Sequence, residues 1–382
     1  MNKMTNKIKL RILLAIYMFL PAIAGLAQSA TITVGPGGDF DSETIQAGID
    51  AANDGDTVLV ASGDYVITEP ITFQGKAITV RSEAGPDETT IRMGTPADIN
   101  RGSVVIFENN ESATSILDGF TITGGRGSNG LSAGGGIYFD ASSGTVRNCA
   151  IVQNTAGYAG GVFCRNLCSP RLSDCIIAEN LASGSGGGIF AFSGSTLTLT
   201  NCTITANSTK DLGGGLCCYV NSLATLTNCI ISGNSVTGAT ANVAGYGGGL
   251  YCSESSSLIL TNCTIAENSV GFSAGGVMCY KSSSATLTNC VITENSAVRL
   301  GGAMFCETDS SMTITNCIIS GNSARQRGGG IECYLNSSTA LTNCTIWGNS
   351  ADQSGGGVDC FNRCSVAVTN SIVSGNTCSK GP

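Results

Sequence analysis

The sequence predicts an all-β chain wound as a parallel β-helix, a solenoid with a short capping helix near its N-terminal end. Three observations carry that reading. A phrase of the form Gly-Gly, aliphatic, Cys, then Leu-Thr-Asn-Cys-x-Ile-x-x-Asn-Ser recurs along the chain. Its first Asn falls at Asn148, Asn201, Asn228, Asn262, Asn289, Asn316, Asn343 and Asn370, with Asp174 in the one gap, at steps of 26 or 27 residues and a single step of 34. A period this strict marks one supersecondary unit stacked on itself. Within each copy β-branched residues recur at period two with glycines between, whereas helical repeats need long runs at period 3.6. The composition agrees: 52 Gly, 42% hydrophobic and 12% charged residues are too apolar for disorder and show no collagen period.

The elements follow in chain order. Residues 1–27 read as a signal peptide, with a basic start (Lys3, Lys7, Lys9, Arg11), an apolar run from Ile12 to Leu20, and small residues leading to cleavage near Ala27. That run is short for a membrane span and no other approaches one, so no transmembrane segment is expected in the mature chain. The expected location is secreted, or the bacterial cell surface or outer membrane. Cleavage would remove four cations and no acid, taking the formal charge from −8 to −12. Charge of this sign repels nucleic acid and anionic lipid, so neither is an expected partner.

Residues 28–115 read as an N-terminal cap and the first irregular coils. Thr31–Val34 predicts a strand. Asp41 or Ser42 could cap a helix running through Asn53, with Ile45, Ile49 and Ala52 on its apolar face. Short strands are expected at Thr57–Val60, Ile71–Phe73, Ile78–Arg81, Thr90–Met93 and Val104–Phe107. A solenoid needs such a cap because its terminal rung otherwise exposes core and open strand edges.

Residues 116–382 read as regular coils of about 27 residues, beginning with a degenerate copy at Ile116–Gly125. The long step places a loop within Val236–Tyr246. Alternation predicts three short strands per coil and a triangular section. Leu216 and Cys218 point in while Cys217 and Tyr219 point out; Leu226, Cys229 and Ile231 point in.

Stacking puts equivalent positions about 4.8 Å apart, so columns in the text are contacts in space. The Asn column above, and a second running from Asn154 through Asn180, Asn207, Asn234, Asn268, Asn295, Asn322 and Asn349 to Asn376, read as structural amide ladders. Two columns of Cys, one from Cys149 to Cys344 and one from Cys164 to Cys360, hold most of the 19 cysteines. Cys fits there as a small inward hydrophobe. An exported chain also meets oxidising conditions, and the C-x₃-C pairs Cys164/Cys168 and Cys360/Cys364 are local disulfide candidates. No paired zinc-knuckle spacing and no His are present, so no metal site is assigned.

The lack of His removes His-based general acid–base schemes and catalytic triads, and no catalytic residue is assigned. Glu267 and Glu294, on consecutive coils, could share Ca²⁺ or simply fit a solvated turn; no other cofactor is expected. Glu307 and Glu332, near Arg325 and Arg327, imitate a lyase or hydrolase pair, and scattered surface charge explains them equally well. The candidate ligand-binding residues are aromatic. Phe192, Tyr219, Tyr280, Tyr334 and Phe361 form one outward column, interrupted by Ser253 and Glu307. Two places earlier on the same face lie Tyr138, Phe163, Phe190, Tyr251 and Phe305. Such rows stack against sugar rings or anchor a protein partner. The competing reading packs them under the loops that follow the Asn-Ser turns. Another face carries Thr-x-Thr pairs such as Thr225/Thr227. It resembles the ice-binding faces of some β-solenoid antifreeze proteins, but is broken at Ile259, Ala340 and Ala367.

Two family resemblances are visible. Gly213–Leu216 with Ile231–Ser235 and their copies resemble the GGA[I/L] and F-x-x-N repeats of polymorphic outer membrane proteins, with Ile in place of Phe. That resemblance implies a secreted β-helical adhesin. The family also carries a C-terminal membrane barrel, whereas this sequence stops inside a coil at Pro382, which raises the expectation of a missing anchor. Thr44–Tyr65 is similar to the N-terminal cap of the pectin-lyase-like superfamily, which implies a right-handed helix and includes pectate lyases and polygalacturonases. The polygalacturonase Gly-His-Gly element is impossible here, and no Asp column matches the lyase Ca²⁺ ligands. The combined expectation is adhesion, or binding of a polysaccharide or cell-surface ligand, without catalysis. The alternatives are a polysaccharide lyase or glycoside hydrolase relative, and a purely structural stalk.

Overall fold

The computed structural model describes residues 29–240 and 243–380. The expected signal peptide, 1–27, lies outside the described residues. The chain opens with the strand Thr31–Val34 and the helix Ile45–Ala51. Thr44, not Asp41 or Ser42, caps that helix, its hydroxyl accepting from the Ala47 N–H. Asp41 is taken elsewhere: the Thr33 N–H and hydroxyl both donate to its carboxylate at 2.8 Å. Ser42 pairs with Val34 as an isolated bridge. Ile45, Gly48 and Ile49 are the buried face of the helix, and Gly48 packs closely on Val34 and Val58.

The rest is a parallel β-solenoid of about thirteen turns. Its first sheet holds thirteen strands, from Thr31–Val34 to Ser365–Thr369; the second holds twelve and the fourth eleven. The sequence expectation of three strands per coil is corrected by a third sheet of nine two-residue strands, such as Ser235–Val236. These strands follow the second Asn of the phrase, and all but the first and last bury one small side chain, such as Val236, Val270 or Ala297. Two residues are too few to show alternation, which is why they were not legible. A regular coil therefore runs Ser284–Thr288, Val291–Thr293, Ser296–Ala297, then Met304–Glu307. The N-terminal strands match expectation within a residue or so, and Gly63–Ile67 is an additional one that opens the second sheet. The long step forms a small antiparallel hairpin, Ala239–Thr240 against Val243–Ala244.

Alternation places Leu216, Cys218, Ala224, Leu226, Cys229 and Ile231 in one continuous core that runs the length of the rod. Strand pairing is in strict register, for example Leu226 with Leu260 and Ile231 with Ile265. Both Asn columns form ladders. The outer one chains side chain to side chain: Asn228 Nδ2 donates to Asn201 Oδ1 at 3.2 Å, and Asn262 to Asn228 at 3.1 Å. Its members sit at φ near 55°, a left-handed conformation that Asn tolerates better than most residues with a Cβ.

The inner ladder is buried and does more. Asn268 Oδ1 accepts from both the backbone N–H and Nδ2 of Asn234. Its own Nδ2 donates to Asn295 Oδ1 and to the Ile231 carbonyl. One amide thus ties three coils together with no polar atom left over. The Gly triplet completes the turn: a Cβ on Gly214 would meet the Gly248 carbonyl at 2.3 Å, so backbone packs directly on backbone.

Apart from Cys360, both Cys columns lie in the core as free thiols; sixteen of the seventeen free cysteines are buried and Cys378 is half-buried. Among the described residues no column cysteine is bonded to another column cysteine. Cys360 and Cys364 form the single disulfide among the described residues. Cys164 and Cys168 do not pair, since the Cys168 thiol donates instead to the Ser195 hydroxyl at 3.3 Å.

Two outcomes are expected. Asn268→Ala orphans buried groups on both neighbouring coils and should cost about 3 kcal/mol or more of stability. The outer-ladder change Asn289→Ala should cost clearly less, as read by melting temperature or denaturant midpoint. A thiol reagent such as Ellman's should titrate no buried column cysteine in the native protein, and all seventeen free thiols after unfolding under non-reducing conditions.

Candidate functional site

The fourth sheet carries the face of interest. Its strands, such as Leu250–Ser253, present two outward positions each. The segment entering each strand folds back over this face, and neighbouring segments stack by isolated bridges: Leu212 with Tyr246, Tyr246 with Ser273, Ser273 with Leu300, Leu300 with Arg327. This stacked segment roofs the first outward column. Tyr138, Phe163, Phe190, Cys217, Tyr251, Met278 and Phe305 form a second hydrophobic cluster, with Ala133, Ala159 and Ala274 of the roof packed against them.

Tyr251, expected to face a ligand, is corrected by this arrangement: it is 3% exposed, covered by its roof neighbours including Tyr246 at 6.5 Å. The second outward column stays at the rim. Phe192, Tyr219, Tyr280 and Tyr334 are half-buried against the cluster, and Phe361 is exposed. Phe192 and Tyr219 stack at 6.2 Å with their planes 12° apart, and Tyr334 and Phe361 at 5.8 Å and 4°. Ring pairs on adjacent rungs are therefore parallel and stacked along the rod. Beside Phe192 and Tyr219 opens a cleft of about 330 Å³, floored by Phe163 and Phe190 and walled by Leu131, Tyr158 and Leu212 of the roof.

Cations decorate the same rim. The Lys281 ammonium lies 5.3 Å from the Tyr280 ring centre and pairs with Glu254 at 2.6 Å. Arg327 lies 4.7 Å from the Phe361 ring centre and 5.9 Å from that of Tyr334. The hydroxyls of Ser253 and Ser273 are buried on this side of the sheet without a hydrogen-bond partner.

At the C-terminal end the roofed column changes chemistry. Glu332 follows Phe305 in register and is followed by Asp359. Glu332 is fully buried beneath Gly328, and neither carboxyl oxygen has a hydrogen-bond partner. Arg327 approaches one of them at 3.4 Å. Burial first, and the neighbouring Asp359 second, push the Glu332 carboxyl up to about 8, against the pull of Arg327. The expected Glu307–Glu332 pair is thus two different situations. Glu332 is under the roof, and Glu307 is at the rim between Tyr280 and Tyr334.

Glu267 and Glu294, the Ca²⁺ candidates, are exposed turn residues at φ 57° and 56°. Among the described residues no group of three or more acidic or Cys side chains is placed to hold a metal ion. The Thr-x-Thr pairs lie on the outer face of the first sheet, where Ile259 interrupts them, 39% exposed. Arg325 is exposed beside a shallow groove along the third sheet. Among the described residues no helix is long and apolar enough to cross a membrane.

The buried Glu332 predicts a pH effect whose sign is fixed. Below the ordinary Glu range the carboxyl is protonated folded or unfolded, and burial costs nothing extra. Between about 4.5 and about 8 the unfolded chain ionises while the folded one holds its proton, so stability falls as pH rises. The full loss is of order 4–5 kcal/mol above that window. Glu332→Gln should flatten the melting-temperature profile between pH 5 and 9 and melt higher than the parent at pH 9.

Comparison with known proteins bears on the fold. In structure, the chain is similar to the A-module of mannuronan C-5 epimerase AlgE4 from Azotobacter vinelandii, at 16% identity and a TM-score of 0.56, covering 88% of this chain and 95% of that one. It is also similar to the AlgE6 A-module of the same organism, at 15% identity and 0.44, covering 87% and 95%. A third match is tailspike protein 2 of an Escherichia coli O157:H7 bacteriophage, at 10% identity and 0.48, covering 89% of this chain and 42% of that one. No curated protein matches by sequence. A family model described as right handed beta helix region matches residues 76–248 and 248–380, and the chain therefore belongs to the right-handed β-helix family.

Proposed function

We propose that this protein is a secreted or cell-surface carbohydrate-binding β-helix, an adhesin-like rod that holds a polysaccharide along the rim of its fourth sheet without cleaving it. The observation that carries the reading is the aromatic rim itself, with the stacked pair Phe192–Tyr219 beside an open cleft and the stacked pair Tyr334–Phe361 further along. Half-exposed rings repeated along a rod offer apolar contact to the faces of successive sugar rings. The epimerase module acts on mannuronan by its name. At 16% identity that likeness carries the fold alone, so the aromatic face bears the argument. The repeat resemblance to polymorphic outer membrane proteins supports the surface location.

The lyase or hydrolase alternative would draw on Glu332 and Asp359. Glu332 is sealed under the roof, so a sugar reaching it would have to displace packed backbone. A catalytic acid needs its proton within reach of the leaving oxygen.

Binding to a glycan array, followed by affinity measurement on the best ligand, tests the reading. Changing Phe192, Tyr219, Tyr280 and Tyr334 together to Ser should weaken retention by at least about tenfold. Intact retention in the quadruple variant, with an unaltered circular dichroism spectrum, would remove the aromatic face from the function.

A further inference from the structure

Glu307 breaks the rim column in a particular way. It stands in register with Tyr280 on one side and Tyr334 on the other, so a carboxylate lies about 4.8 Å along the stack from each tyrosine. Both tyrosines already attract cations, Lys281 at 5.3 Å and Arg327 at 5.9 Å from the ring centres. Yet neither cation is given to Glu307: Lys281 pairs with Glu254 at 2.6 Å, and Arg327 lies against the Phe361 ring at 4.7 Å and the Glu332 carboxyl at 3.4 Å. Arg299, the next cation on the roof, sits over Phe272 at 4.2 Å. Among the described residues Glu307 has no ion pair and no side-chain hydrogen bond. It is half-buried, and burial holds its carboxyl above the usual range. An unpaired carboxylate in that position bears a desolvation cost that a bound cation would relieve.

We propose that Tyr280, Glu307 and Tyr334 form a subsite for an ammonium group, and that the saccharide held along this face carries a free amine, a glucosamine-type residue. The proposal rests on the carbohydrate-binding reading above. A primary ammonium over the carboxylate gains a charge-assisted hydrogen bond and attraction from the two ring faces. N-acetylation removes the charge and with it both contributions. The chain's net charge of −8 favours approach of a cationic polymer over a neutral or acidic one.

Isothermal titration at pH 6, with β-1,4-linked glucosamine oligomers against N-acetylated and neutral glucan oligomers of equal length, tests this. The parent should prefer the amine form by about tenfold or more. Glu307→Gln should abolish that preference, with the loss falling on the amine oligomer. Glu294→Gln, which removes an exposed charge at the turn after the second-sheet strand Val291–Thr293, on another side of the coil from the subsite, should leave the preference intact. If Glu294→Gln weakens amine binding as much as Glu307→Gln does, attraction is diffuse and the subsite is overturned. If Glu307→Gln keeps the preference, the subsite is likewise overturned, although the glycan-binding reading stands. Failure of the parent to bind any oligomer would defeat that broader reading instead. Binding of choline at the same site, with no amino sugar bound, would overturn the saccharide assignment.

Discussion

The buried amide ladder is the constraint on which the rest of the structure depends. A parallel coil has no hairpin to set its register, so something must stop one turn sliding on the next. Each inner Asn does so by accepting from the backbone N–H of the coil before it and donating to the coils on both sides. A slip of one residue would leave all of those groups buried and unpaired. Fixed register is also what makes the columns real. Leu, Ile and Cys stack into a single core, and the rim rings come face to face instead of scattering around the rod.

The same register builds the roofed face. The Gly triplet lets the entering segment turn tightly back on the fourth sheet, with φ of 64° at Gly213 and carbonyls in direct contact with the next coil. Residues bearing a Cβ at Gly214 would force the coils apart. Because the roof repeats with every coil, it covers one outward column and stops short of the other. A sandwich of buried and half-exposed rings results, and the half-exposed rings are held rigid by the buried ones. Rigid aromatic platforms lose little entropy on binding, which suits weak ligands such as sugars.

Much of this was legible in the sequence. The period predicted the solenoid, alternation predicted the inward Leu216, Cys218 and Ile231, and the Asn columns predicted the ladders. The fourth side of each coil was not legible, because a two-residue strand has no pattern. The helix cap was misread because Asp41 is consumed by Thr33 across the turn, a contact that spacing does not show. The roof could have been inferred from one signal. Where the Tyr138–Phe305 column lacks an aromatic it has Cys217 or Met278, still apolar, whereas the Phe192–Phe361 column admits the charged Glu307. Uniform apolarity marks a covered column; mixed chemistry marks an open one.

That contrast also says where function should be sought in a protein of this kind. Stacking makes conformity obligatory at core, ladder and Gly positions, since one deviant residue disturbs two neighbouring coils. The rim column is free of that demand, so its sequence of Phe, Tyr, Ser, Tyr, Glu, Tyr and Phe is the least constrained by folding. Glu332 shows the cost of breaking the rule under the roof, a carboxyl that must keep its proton to stay buried. Glu307, two positions further along the neighbouring strand, breaks the rim pattern where water and ligands can reach, and there the same residue type becomes a recognition element instead of a strain.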